Sequence, residues 1–176
     1  MKGWLLLLLL VVGPVISCAP ISKEIMYRVD TTLTFRDIQK DPGAYAGKTV
    51  LWGGVIIETS NRQQETLIKV RQTELDFQQR PTNLDRSLGR FLIRQAGFLD
   101  PAIYKEGREI TVAGEVTGKE VLPLGNSQYA YPVLGAKEIH LWERRSEYRP
   151  IYPPWYYDPY YFWWHRYPYW RHPYGW

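Results

Sequence analysis

The segment Arg108 to Thr117, "REITVAGEVT", alternates more cleanly than any other part of the chain. Ile110, Val112, Gly114 and Val116 share one side, and Glu109, Thr111, Ala113 and Glu115 the other. A period of two marks a half-buried strand, because successive side chains of a strand point to opposite faces. Other stretches repeat the theme. Thr49 to Glu58 is β-branched and aromatic with Gly53-Gly54 in its middle, and glycines inside a strand mark a bulge or a sharp bend. From Glu65 to Thr73, Ile68 and Val70 alternate with Lys69 and Arg71; Gly89 to Arg94 forms a third strand. Gln128 to Leu134 and Lys137 to Trp142 read as closing strands.

Helical signals are brief. Thr34-x-x-Asp37 is a capping pattern that starts a short helix with Phe35 and Ile38 on its buried side, and Asp41-Pro42-Gly43 stops it. Gly97 to Tyr104 reads as one helical turn, with Asp100 at the cap and Pro101 at the first helical position, where its missing N–H does no harm. The expected fold is therefore mainly β: a small, partly closed, OB-like five-stranded barrel with one or two short helices. The barrel is expected over residues 34–143. An irregular aromatic and proline-rich tail follows over 144–176.

The N-terminus addresses the compartment. In MKGWLLLLLLVVGPVISCAP, Lys2 precedes an apolar run that Gly13-Pro14 breaks. The run is shorter than the ~20 residues needed to cross a bilayer core, and its flanks are those of a secretory signal. Val15-Ile16-Ser17-Cys18 resembles the bacterial lipobox. The Cys18 thiol would carry a diacylglyceryl thioether, and the small Ser17 would admit the peptidase that frees the Cys18 amine for acylation. A plain signal peptide cut near a chance cysteine is the bland alternative. Cys18 is, however, the chain's single cysteine, and a solitary cysteine in an exported protein needs a reason. Residues 1–17 are thus read as signal peptide and 18–33 as the lipidated N-terminus and a polar tether. Ala19, rather than aspartate, follows the cysteine, which favours the outer membrane. The formal net charge of +4 is too mild to argue for any partner.

The tail is compositionally separate. Tyr148 to Trp176 holds more than half of the chain's 8 tryptophans and of its 14 tyrosines, and nearly half of its 13 prolines. Such proline density forbids a continuous helix or a central strand. Tyrosine and tryptophan favour a membrane–water interface, where the ring is buried and the polar tip stays wet. Trp155, Tyr160, Trp163, Trp164 and Trp170, with Arg166 and Arg171 for acidic headgroups, are the candidate contacts with a membrane or partner. An envelope protein or polysaccharide bound by ring stacking is a second reading, and a tail that folds back over the barrel or has no defined partner a third.

Three blocks carry a family likeness: "DPGAYAGKTVLWGGVI" (Asp41–Ile56), "GRFLI" with "GFLDPAIYKEGREITVAGEVTG" (within Gly89–Gly118) and "YAYPVLGAKEIHLW" (Tyr129–Trp142). They resemble the Slp family of starvation-inducible outer-membrane lipoproteins. The resemblance implies a lipid-anchored outer-membrane protein that faces the periplasm and is linked to stress physiology. It implies no catalytic residue, ligand or cofactor, and the long aromatic tail departs from its pattern.

Catalytic chemistry has little to stand on. His140 sits in the last strand, between Ile139 and Leu141, which should point inward while it points outward. His165 and His172 lie seven apart in the tail, far from the usual i, i+4 ligand spacing. No nucleophile-elbow, phosphate-loop or zinc-protease motif occurs. No enzyme activity, cofactor or metal is therefore expected. Asp100, Gly53 and Gly54 read as structural, and Trp52 and Trp142 as core or rim residues. Nucleic acid is not an expected partner, because basic and acidic residues alternate along the strands. A non-enzymatic structural or binding role in the envelope is expected. A carbohydrate-active or ligand-binding module that uses aromatic platforms is the alternative.

Overall fold

The computed structural model describes residues 19–145. The elements are α1 (Lys23–Met26), α2 (Phe35–Lys40), a 3-10 turn (Pro42–Tyr45), β1 (Thr49–Asn61), β2 (Glu65–Thr73), β3 (Arg90–Ala96), β4 (Glu109–Leu124) and β5 (Ser127–Leu141). The strands form a closed barrel in the order β1-β2-β3-β5-β4. The β3–β5 pair is parallel and the others are antiparallel. The mainly β, five-stranded barrel read from the sequence is therefore present, and closure goes further than expected. Thr49–Val55 of β1 pairs with β4, and Leu92–Arg94 of β3 pairs with Val133–Gly135 of β5.

Alternation decides what the barrel holds. Val50, Trp52, Ile56, Ile68, Val70, Phe91, Ile93, Ile110, Val112, Val116 and Leu134 form one buried cluster with Phe35 and Ile38 of α2. Burying each such side chain contributes about 1.5–3 kcal/mol. Helix α2 closes one mouth. Its Phe35 ring packs 4.8 Å from Trp52 and 6.3 Å from Phe91, and Trp52 and Phe91 meet edge-on at 5.2 Å. The capping pattern is formed as expected, with Asp37 N–H donating to the Thr34 hydroxyl and Thr34 N–H to the Asp37 carboxylate. The hydrogen bonds from Thr34 hold the Asp37 carboxyl below its ordinary pKa.

The opposite mouth is closed by Leu99 and Tyr104, which pack on the same cluster. They belong to the segment expected to be a helical turn. It forms a single turn, with Ala102 N–H donating to the Asp100 carboxylate and Tyr104 N–H to the Asp100 carbonyl.

Two strands run further than the sequence suggests. Strand β4 continues past Thr117 to Leu124, and β5 is one strand where two were expected. Register shifts between Ala113 and Gly114, and between Val116 and Gly118, let the β4–β5 hairpin bend without breaking its ladder. Beyond the second shift Glu120 and Leu122 share the face of Tyr131 and Tyr129, which they oppose across the hairpin. Leu92, Tyr131 and Val133 form a second small core there, with Leu122 and Tyr129 packed against it.

The segment expected to be a polar tether is instead held to the barrel. Ile21 is fully buried, Ser22 N–H donates to Glu138 at 2.9 Å, and Asp30 N–H donates to the Thr49 carbonyl at 2.8 Å. Its short apolar positions, Ile21 and Val29, are enough to fasten a chain that reads as polar.

Gly54 governs how closely β1 and β2 approach. A Cβ there would lie 2.0 Å from the Arg71 carbonyl oxygen, a backbone atom that cannot yield. Gly54→Ala is expected to destabilise the barrel by about 3 kcal/mol or more, read as a shifted denaturant midpoint. The two tyrosines of the small core should separate cleanly. Tyr129 Oη accepts from Gln39 Nε2 and from Arg90 N–H, whereas the buried Tyr131 hydroxyl has no hydrogen-bond partner. Tyr129→Phe should cost about 1–3 kcal/mol, and Tyr131→Phe should be neutral or stabilising in the same unfolding experiment.

Candidate functional site

Cys18 and the tail residues Trp155, Tyr160, Trp163, Trp164, Arg166, Trp170 and Arg171 lie outside the described residues, as do His165 and His172. Among the described residues, three surfaces of the barrel are candidates.

The first is the outer face of β2 and β3, the face through which OB-type barrels bind oligonucleotides and oligosaccharides. Here the chain covers its own face. Lys69 Nζ of β2 stands 5.9 Å from the centre of the Tyr131 ring, and Arg62 pairs with Glu120 of the hairpin at 3.1 Å. Leu67, Leu92 and Leu122 line a residual cavity of about 190 Å³ with Glu58, Ser60, Arg62 and Lys69. Lys69 also pairs with Glu58 at 2.7 Å. A base or sugar would have to displace Tyr131 and Leu122 to reach this face.

The second is a polar cleft of about 870 Å³ beside the β1–β2 turn, where β3 and β5 diverge. Arg62, Arg94 and Lys137 supply its cations. Each is matched by a carboxylate: Arg94 stands 3.3 Å from Glu65 and 3.6 Å from Glu120, Arg62 3.8 Å from Glu65, and Lys137 2.9 Å from Glu115. The pairs are half-exposed and alternate in sign, so the cleft has no excess charge to hold an anion. Pairs of this kind contribute little each, with a median of about 0–1 kcal/mol.

The third is a recess of about 580 Å³ lined by Ala19, Pro20, Phe77, Gln78, Gln79, His140 and Trp142. Strand β5 brings His140 to the outside of the barrel, with Trp142 just past its end, while Ile139 and Leu141 pack against the core, as the alternation requires. The two rings meet edge-on at 4.5 Å. Trp142 Nε1 donates to the Thr111 hydroxyl at 2.9 Å, and that hydroxyl donates to the Gln79 carbonyl at 2.7 Å. Arg80 lies over the Trp142 ring at 5.3 Å and pairs with Glu109 at 2.6 Å. His140 thus has an aromatic neighbour, and among the described residues no carboxylate is paired with it to orient it as a base. Among the described residues no three His, Cys, Asp or Glu side chains cluster to hold a metal ion.

The residues weighed in the sequence are therefore dispersed. Trp52 is in the core, Asp100 caps a turn, Gly53 and Gly54 lie in the sheet, and Trp142 and His140 form one wall of the recess. Phe77 went unnoticed because a single phenylalanine in a polar loop carries no periodic signal. Of the two carboxyls held below their ordinary pKa, Asp37 serves the α2 cap and Asp30 accepts from Thr32; neither belongs to these surfaces.

Residues 15–170 match the model of the outer membrane lipoprotein Slp family. The chain is 28% identical over 134 residues to the outer membrane protein Slp of Escherichia coli K12, covering 76% of this chain and 71% of that protein. It is 30% identical over 139 residues to the lipoprotein YeaY of the same organism, covering 79% and 70%. A Haemophilus influenzae protein is 31% identical over 116 residues, covering 65% and 63%. With a family match that spans most of its length and a barrel built from the blocks that carry the likeness, the chain belongs to the Slp family of outer-membrane lipoproteins.

Proposed function

We propose that this lipoprotein is anchored through diacylglyceryl and acyl groups on Cys18, faces the periplasm, and acts without catalysis as a structural or binding component of the envelope under stress or starvation. The observation that carries the reading is the start of the fold. Ile21 is fully buried and Ser22 is hydrogen-bonded to Glu138, so the barrel begins within a few residues of the lipobox cysteine. A lipid on Cys18 would therefore hold the domain itself at the membrane. A single acyl chain gives marginal, reversible binding, whereas two or more anchor stably. The self-covered β2–β3 face and the balanced polar cleft favour a protein or membrane contact over an enclosed small-molecule site.

In this reading the tail supplies a second contact. Trp155, Tyr160, Trp163, Trp164 and Trp170 would sit at a membrane interface or on an envelope partner, with Arg166 and Arg171 meeting acidic or phosphate groups.

Cys18→Ala is expected to lower the share of the protein that partitions with the outer membrane, leaving only the weaker association that the tail supplies. Undiminished partitioning with the outer membrane would show that anchoring does not rest on lipidation. Removing residues 148–176 from the Cys18→Ala chain should leave the circular dichroism of the barrel unchanged and weaken its sedimentation with envelope fractions; undiminished sedimentation would rule out the tail as a contact.

A further inference from the structure

We propose that the recess beside Ala19 is the face this domain turns to the lipid bilayer, with Phe77 as the side chain that enters the headgroup–acyl boundary. This rests on the anchor at Cys18 and goes beyond it, because an anchor alone leaves the orientation of the barrel free.

Distance sets the first condition. Only Ala19 and Pro20 stand between Cys18 and the buried Ile21, and the three steps of chain span about 11 Å at full extension. The glycerol of a lipid on Cys18 lies at headgroup level, so the part of the barrel that holds Ile21 cannot be far from it. Ala19 and Pro20, the two residues nearest the anchor, line the same recess as Phe77, Gln78, His140 and Trp142. The barrel therefore has little choice about which side approaches the membrane.

That side carries a feature solvent does not explain. Phe77 is 92% exposed, the most exposed of the large apolar side chains among the described residues. It does not sit in a slack loop. Leu75 and Pro81 bridge the base of a small hairpin, Gln79 N–H donates to the Asp76 carbonyl at 2.9 Å, and Asp76 N–H donates to the Arg80 carbonyl at 2.9 Å. The Asp76 carboxylate accepts from the backbone N–H groups of Gln78 and Arg80, both at 2.9 Å. Gln79 takes a φ of 65°, left-handed backbone held by these bonds and by the Thr111 hydroxyl on its carbonyl. A turn so fully bonded presents Phe77 in a fixed place, and the ordering cost of seating it in a bilayer is already met within the fold.

The surroundings suit an interface. The charges closest in the hairpin are engaged within the protein, Asp76 with backbone donors and Arg80 with Glu109 at 2.6 Å. Trp142 and His140 add amphipathic rings to the wall, and residues with an apolar body and a polar tip favour the headgroup level. Gln79 Nε2 also reaches the Met26 sulfur at 3.6 Å, so α1 lies against the same hairpin, and Tyr27, which follows it, is 88% exposed.

The test uses the full lipidated chain. Cys18 is the only cysteine, and its sulfur is consumed by the lipid, so a cysteine introduced elsewhere is the sole free thiol. Phe77→Cys and, separately, Asn126→Cys at the exposed tip of the β4–β5 hairpin would be spin-labelled and reconstituted in vesicles of phosphatidylethanolamine and phosphatidylglycerol. The label at 77 is expected to lose most of its collisions with a water-soluble nickel chelate and to gain collisions with oxygen, while the label at 126 stays water-exposed. Vesicle-bound protein with both labels in water would overturn the orientation and leave the anchor standing. Failure of the chain to bind vesicles would overturn both. Shielding of position 77 already present in a Cys18→Ser chain without vesicles would mean that the tail or a second copy covers the recess, and would also overturn it.

Discussion

The barrel depends on the close approach of backbones along β1. This strand is the only one that β2 and β4 both flank, and at Gly53 and Gly54 it pairs with both neighbours at once. The absence of a Cβ at Gly54 lets the Arg71 carbonyl come into contact with it, and a Cβ at Gly53 would lie 2.9 Å from the Ile110 carbonyl. Both partners press on the same two residues, so the sheet coils tightly enough to close. Closure then defines the interior that Phe35 and Ile38 seal at one mouth and Leu99 and Tyr104 at the other.

Much of this architecture is legible in the residues. The alternation of Ile68 and Val70 with Lys69 and Arg71 gives β2 its faces, and Thr34 with Asp37 marks the start of α2. The paired glycines announce a bend, although the register shift in β1 falls between Ile56 and Glu58, just beyond them. What stays hidden is whatever depends on tertiary partners. Past Thr117 the pattern of β4 is disturbed by its bulge at Gly118, and the run Glu120, Val121, Leu122 reads as strand only once Tyr131 and Tyr129 are seen across from it. Likewise, nothing in a polar stretch of fifteen or so residues signals that one isoleucine will fasten it to the barrel.

The candidate surfaces divide the same way. The lipobox-like run Val15–Cys18 is a local chemical pattern and is readable without a fold. The recess is not, because Ala19, Phe77 and Trp142 come from an N-terminal segment, a loop and the residue just past the last strand, and only closure of the barrel brings them together. The β4–β5 hairpin works in the opposite sense, laying Tyr131 and Leu122 over the face on which other barrels of this shape bind ligands. A shared architecture thus leaves function to be decided by what is added to it.

The two seams of the barrel are unequal. The β1–β4 seam runs along Thr49–Val55, whereas β3 meets β5 only over Leu92–Arg94 against Val133–Gly135. The β1–β2, β2–β3 and β4–β5 pairs join strands adjacent in sequence, so the chain can assemble as two local sheets before either seam exists. Non-local pairings of this kind are slow to form, and until they do, four strand edges stay open to other chains. The short parallel seam has the fewest ladder bonds to lose. It is therefore the line along which the finished barrel is expected to open first, and its backbone amides the ones expected to lose their protection from solvent first.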